Sequence, residues 1–411
     1  MDLQPALDKI ANKLPSWKAR LLTKDGRLIY VQSVMMASVI YQLMALDLEP
    51  WFFKAVDKLR RGFLWVGREE ARGGNCLVAW SAVCQPKSVG GLGLHNLRWL
   101  NAALRTRWIW LQRSGEERSW AGLQFQVLPE AKAMFNASVR ISVGSGERIV
   151  FWEDPWINGL NVAAIAPDVL ALVPIGTQRK RLVREGLEGN AWARDIAGEL
   201  SINAVVQCLA LWQSIANVQH LGDLDGFVWK WTSSGQFSSR SAYHAFFAGS
   251  TTLPCAPQVW HSFAPLKIRL HAWFAIRDRC WTVDRRLRRG LASHSICLCC
   301  QAADETMNHI TMQCAFAGAV WSGIIQRLGV SLPLPNVLSI LTDWWPAAVR
   351  TLARKDQKTA NSLIMLTIWE LWLERNARVF ENKAATAQRV IDVIVDEWGL
   401  WASCRRGIVS E

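Results

Sequence analysis

The 411-residue chain reads as mainly α, with short β-hairpins and one small loop drawn together by cysteine and histidine, spread over more than one domain. Three observations predict this. Apolar residues recur at three- and four-residue spacing along most of the chain. The alternating apolar runs are short and flank Ser/Gly turns, at 143–152 and 227–238. The ten cysteines cluster at one place only, 297–314. The length leaves room for two or three domains. A composition 51% hydrophobic and 20% charged excludes a disordered chain, and most of the 24 Trp should be core or interface.

From the N-terminus, Leu3, Leu7, Ile10 and Leu14 repeat at helical spacing and stop at Pro15. Lys24-Asp25-Gly26 reads as a turn that launches a helix over 28–46. Pro50 breaks it, and a helix over 51–65 follows with Phe53, Val56, Leu59, Phe63 and Leu64 as its apolar set. Three glycines in Gly90-Gly91-Leu92-Gly93 permit a tight backbone path. No Gly-Lys-Ser/Thr follows, so the reading is a structural turn rather than a phosphate cradle. Gly144-Ser145-Gly146 predicts a hairpin, and Phe227 to Trp231 with Gln236-Phe237-Ser238 a second one. A helix is expected over 239–247, a linker over 254–257, and helix–turn–helix over 259–290. His309 should sit in or near the first turn of a helix running toward Trp321. After Pro333, Pro335 and Pro346, two long helices are expected over 358–381 and 386–401. The most apolar runs, 33–46 and 362–373, are shorter than the roughly 20 residues of a bilayer span and read as buried helices.

The chemistry concentrates in Cys297, Cys300, His309 and Cys314, spaced Cys-x2-Cys-x8-His-x4-Cys. Two thiols two residues apart can grip one ion from a tight turn, and a His and a Cys a short step later close a tetrahedron. That is the ligand set of a structural zinc, with no position open for a substrate. Only Leu298 separates Cys299 from Cys297, so Cys300 fits the turn better and Cys299 reads as a bystander. Zinc would hold a loop too short to bury a core of its own, so its binding energy is folding energy. Asp304 and Glu305 read as caps of the following helix. A zinc deaminase needs His-x-Glu beside Pro-Cys-x-x-Cys; here Ile296 precedes Cys297, and Ile310-Thr311 follows His309.

The net charge of +13 and a pI near 9.5 favour a polyanionic partner. Lys267, Arg269, Arg277, Arg279, Arg285, Arg286, Arg288 and Arg289 stand against only Asp278 and Asp284. Guanidinium groups suit phosphate oxygens through paired donors, so RNA or DNA bound through a basic surface is the expected partner; a solvated helical face is the rival reading. Trp273 and Trp281 could stack bases, although core packing accounts for them more simply. Arg179-Lys180-Arg181 is a lesser basic run, and Arg375 and Arg378 should pair with Glu370 or Glu374 along their helix. Met1-Asp2-Leu3-Gln4-Pro5 lacks a signal pattern. Reduced thiols inside the cell, in nucleus or cytoplasm, are therefore expected rather than secretion. Neither a membrane nor a small-molecule substrate is expected.

Several phrases in fixed order resemble the C-terminal part of plant LINE-type (non-LTR retrotransposon) reverse transcriptases. They begin with Leu14-Pro15-Ser16-Trp17-Lys18, Gly26-Arg27 and Tyr41, and continue with Phe63-Leu64-Trp65, Trp80, Pro86-Lys87 and Asn101-Ala102-Ala103-Leu104. Phe151-Trp152-Glu153-Asp154-Pro155-Trp156 is similar to the family's connector. Gly235-Gln236-Phe237-Ser238, Ser241-Ala242-Tyr243, Trp260, Lys267, Trp273, Arg289, the four metal candidates and Val320-Trp321 resemble its zinc-binding module. Trp369-Glu370-Leu371-Trp372 and Glu374-Arg375-Asn376-Ala377 resemble its terminal helices. The resemblance implies a thumb-like helical region over 1–115, a connector over 116–225, the zinc module over 226–330 and a helical end over 331–411. A polymerase of this family needs the palm carboxylates of Tyr-x-Asp-Asp. Tyr30, Tyr41 and Tyr243 precede no such pair, and Asp-Asp occurs nowhere in the chain. Nor is there a sign of a ribonuclease H domain. The expectation is a non-enzymatic remnant that binds RNA or DNA without sequence preference. The alternative is a structural or interaction protein, or a gene relic, whose zinc serves the fold alone.

Overall fold

The structure is a computed structural model that describes residues 3–14, 21–46, 48–71, 73–114, 128–216, 218, 224–291 and 294–409. The expected helix stop at Pro15, the phrase Ser16-Trp17-Lys18 and residues 116–127 of the expected connector lie outside them. The described residues are mostly helical, with one two-stranded sheet. No described helix is long and apolar enough to cross a membrane. The chain forms two compact units. One comprises Met1–Ser38, Lys54–His95 and Ser250–Glu411, the other Val39–Phe53 and Asn96–Gly249.

In the second unit, helix Leu97–Arg113 starts where the Asn96 side chain accepts from the Trp99 amide at 3.2 Å. It packs on helices Pro129–Ser138 and Ser239–Ala245. Strands Val139–Ser142 and Gly226–Trp229 pair antiparallel, Val139 opposite Trp229. This corrects both expected hairpins: each short run finds its strand partner in the other, and across the second turn the Trp229 amide reaches back to the Gly235 carbonyl at 2.7 Å. The physical reason is Asp225. Its buried carboxylate accepts from the amides of Gly144, Gly146 and Arg148 at 2.9, 2.8 and 2.9 Å, so 144–148 wraps an anion instead of reversing into a strand. Trp152, Trp156 and Trp192 are fully buried around Phe151. Arg181, the end of the lesser basic run, pairs with Asp195, while Arg179 and Lys180 are exposed.

The first unit carries the long terminal helices. Arg354–Asn376 is buried over 360–368 and runs on as a wider turn over Ala377–Glu381. Helix Leu266–Ala275 packs on it. Helix Ala315–Leu328 packs on Ala387–Val409 so closely that a Cβ on Gly323 would lie 2.3 Å from Ile391 Cδ1. Lys24-Asp25-Gly26 lies inside helix Lys24–Tyr30 and not in a turn; the break falls at Ser38-Val39, before helix Ile40–Ala45. The expected linker over 254–257 is in part helix, because Cys255, in the left-handed region at φ 63°, starts helix Ala256–Trp260. The glycine turn is structural: a Cβ on Gly91 would lie 1.9 Å from the Gln85 carbonyl, and Gly90 takes φ 106°. The Gly90 carbonyl in turn accepts from Trp273 Nε1 at 2.8 Å and from the Arg277 guanidinium at 2.9 Å.

Candidate metal centre

A narrow ribbon presents the first two cysteines. Ile296 bridges Asp304, the Cys297 amide donates to the Ala303 carbonyl at 2.9 Å, and the Glu305 amide donates to Ser295 at 2.8 Å. At the tip the Gln301 amide closes on the Cys297 carbonyl at 2.8 Å, with Gln301 itself left-handed at φ 57°. Thr306 then starts a helical turn by accepting from the His309 amide at 3.0 Å. The turn His309–Gln313 is wide, and Trp321 Nε1 fixes it by donating to the Thr311 carbonyl at 2.8 Å. Cys314 is extended, at ψ 135°, and separates this turn from helix Ala315–Leu328. The expected single helix from His309 to Trp321 is therefore two pieces, because Cys314 must leave helical geometry to aim its sulfur back at the turn.

The four candidates converge. One donor atom each from Cys297, Cys300, His309 and Cys314 lies within 4.8 Å of every other. Cys300 Sγ is 3.2 Å from His309 Nε2. Around zinc, with Zn–S about 2.3 Å and Zn–N about 2.0 Å, tetrahedral donors stand roughly 3.5 to 3.8 Å apart. The residues fit the ion: contraction by about 1 Å at most would close the set. No other cluster of three or more potential metal ligands occurs among the described residues. Cys299 stands outside the four; its amide donates to Cys297 Sγ at 3.4 Å.

The electrostatics favour a cation. Hydrogen bonds from the Cys299 and Cys314 thiols draw the Cys297 thiol far below its ordinary range, toward thiolate. The same contact to Cys297 pushes Cys299 and Cys314 up. The His309 imidazole is held above its ordinary value, first by its hydrogen bond with Cys297. Sulfurs this close cannot all ionise against one another; a divalent cation at their centre removes that conflict.

Two arginines and a glutamate support the loop from outside, in roles that differ in part from those expected of them. Glu305 does not cap the helix that follows it. Its carboxylate accepts from the Val283 amide, at the start of helix Val283–Leu287, at 2.8 Å. It also takes the Arg375 guanidinium through Nε at 2.9 Å and Nη2 at 2.6 Å, and neither side chain is exposed at all. Arg375 therefore pairs with Glu305, not with the expected Glu370 or Glu374. Arg378 does pair with Glu374, at 2.7 Å, and donates to the Leu298 carbonyl between the cysteines at 3.3 Å. The spacing along the helix already offered Glu374 to Arg378, but nothing in the sequence pointed from Arg375 to Glu305.

The eight basic candidates separate into two groups. Lys267, Arg279, Arg288 and Arg289 are exposed. Arg288 pairs with Asp284, and Arg289 donates to the Gly74 carbonyl at 3.3 Å. Arg269, Arg277, Arg285 and Arg286 are half-buried. Arg277 is bound to Gly90, Arg285 to the Asp278 carbonyl, and Arg286 to Leu291 at 3.2 Å. Trp273 is fully buried. Trp281 is half-buried between Arg289, 4.9 Å from its ring centre, and Arg285 at 5.9 Å.

Residues 237–321, which contain all four metal candidates, match the family described as zinc-binding in reverse transcriptase. The resemblance read from the sequence is thus shown over this segment. Over nearly its whole length the chain is also similar to a protein of Arabidopsis thaliana provisionally named a ribonuclease H protein. The two are 23% identical, over 96% of this chain and 66% of the relative. The chain spans just under two thirds of that relative.

Proposed function

We propose that this chain is a non-catalytic derivative of a LINE-type reverse transcriptase that binds RNA or DNA strands through charge, with a structural zinc holding the Cys/His loop. The observation that carries the reading is the convergence of the four donors inside the matched segment 237–321. Lys267, Arg279, Arg288 and Arg289 lie exposed in the same compact unit. Cys297, Cys300, His309 and Cys314 would complete a closed coordination shell, and bound zinc supplies cohesion to the loop rather than an open Lewis-acid position. The absence of any Asp-Asp pair supports the non-catalytic part. The relative's ribonuclease H name pulls the other way, and incubation with an RNA–DNA hybrid and magnesium tests it: no cleavage is expected, and cleavage refutes this part.

The test of binding is anisotropy of labelled single strands with the zinc-loaded chain, titrated between about 50 and 200 mM salt. Four phosphate contacts give a slope of about −3 in log affinity against log salt. A flat response refutes the reading. A second reading, a purely structural zinc protein, is favoured by the engagement of Arg277, Arg285 and Arg286 with backbone carbonyls of their own chain. Zinc retained with no binding at low salt would select it.

A further inference from the structure

A cleft of about 280 Å3 opens within the first unit beside the exposed basic residues. Phe274, Trp281, Trp369 and Trp372 supply aromatic walls, and the charged lining is Lys24, Lys267 and Arg279 against Asp25. Lys267 Nζ stands 4.7 Å from the centre of the Trp369 ring. One polar group in the wall is unexplained by the fold. His271 is only 7% exposed, and its Nδ1 has no hydrogen-bond partner among the described residues. Its Nε2 faces Cys280 Sγ at 3.8 Å, so Nδ1 is the nitrogen turned away from that contact. The ring lies between Trp369, edge-on at 5.1 Å, and Trp372 at 5.6 Å. Burial takes the imidazole down to about 3 and the Cys280 thiol up to about 12, so both are neutral near pH 7. A neutral His271 and Cys280 add no charge of their own to the wall, so Lys24, Lys267, Arg279 and Asp25 set its electrostatics.

We propose that this cleft takes the base of one unpaired nucleotide, stacked on the tryptophan walls, with its phosphate on Lys24, Lys267 or Arg279. At about 280 Å3 the cleft is just under the range of typical small-ligand pockets, roughly 300–1,000 Å3, which suits one base and not a duplex end. Stacking tolerates every base because each has a π-face, and it contributes about 1–3 kcal/mol per base. The cationic rim complements a phosphate and would repel a cationic guest. The proposal rests on the strand-binding reading above and adds to it a salt-insensitive, base-dependent component.

The experiment compares two single strands of equal length and charge on the unmodified chain, one carrying 2-aminopurine bases and one abasic throughout. The expected result is quenching of 2-aminopurine emission on binding, and at least tenfold tighter binding of the base-bearing strand, persisting at high salt. Trp281→Ala and Trp369→Leu each remove one half-buried aromatic wall. Each should cut the base-bearing affinity toward the abasic value without changing the salt slope. Equal binding of both strands with no quenching overturns the nucleotide cleft and leaves charge-driven binding standing. Failure of even the abasic strand to bind at low salt overturns the underlying reading as well.

Discussion

Gln301 takes a left-handed backbone at the tip of the metal loop, where its amide closes the turn on Cys297. A side chain there costs roughly 1–2 kcal/mol, partly offset by the greater freedom glycine has when unfolded. Gln301→Gly should therefore raise stability by up to about 1 kcal/mol; thermal unfolding of the zinc-loaded protein reads it, and a fall would show the tip to be unstrained. Cys299 and Cys300 differ at the same scale. Both sulfurs are half-buried, but only that of Cys300 joins the cluster of four. Cys300→Ser should lose the metal and Cys299→Ser should keep it, measured as zinc content after gel filtration. The sequence spacing already separated these two residues, because a two-residue gap is what one ion can bridge.

At the scale of elements, the end of helix Arg354–Asn376 is bound to the metal loop by an ion pair with no exposure. Removing one partner leaves a charge buried alone. Glu305→Ala should cost about 3–5 kcal/mol in denaturant unfolding, and adding Arg375→Met should recover part of it; a loss under about 1 kcal/mol would mean water reaches the pair. One turn earlier, burial and then the nearby Glu397 push the Glu370 carboxyl up to about 7 from its usual 4.5. Between those values the folded chain keeps a proton that the unfolded chain has released. Glu370 therefore makes stability fall as pH rises from about 4.5 to about 7, and the deficit is complete above that. Glu370→Gln should match the parent near pH 4 and exceed it at pH 8, on the order of 1 kcal/mol by thermal unfolding. An equal difference at both pH values would rule out the titration. The helix itself was legible from its apolar run. Its partner was not, since Glu305 and Arg375 are remote in sequence and each has nearer charges with which it could have paired.

At the scale of the molecule, the loop between Ser295 and Cys314 meets Val283, Arg375 and Arg378 through buried polar bonds. Withdrawing zinc with a chelator should remove hydrogen-exchange protection from 295–314 and from the helix end near 375, while helix Leu97–Arg113 in the other unit keeps its own. Uniform loss across both units would mean that the metal supports the whole chain. The two failed hairpins belong here too. A four-residue strand has little register information of its own, and Asp225, with three amides to satisfy, decided which segments could pair.

The sequence by itself determined the helical class, the presence of two long terminal helices and the four clustered donors, because periodicity and metal spacing are local properties of the chain. Only the tertiary structure decided which arginines face water, which carboxylate answers Arg375, and that His271 and three tryptophans share one cleft. Those outcomes depend on desolvation and on partners brought together from distant segments, and a charge or a ring does not carry in its own neighbourhood the identity of the group it will meet.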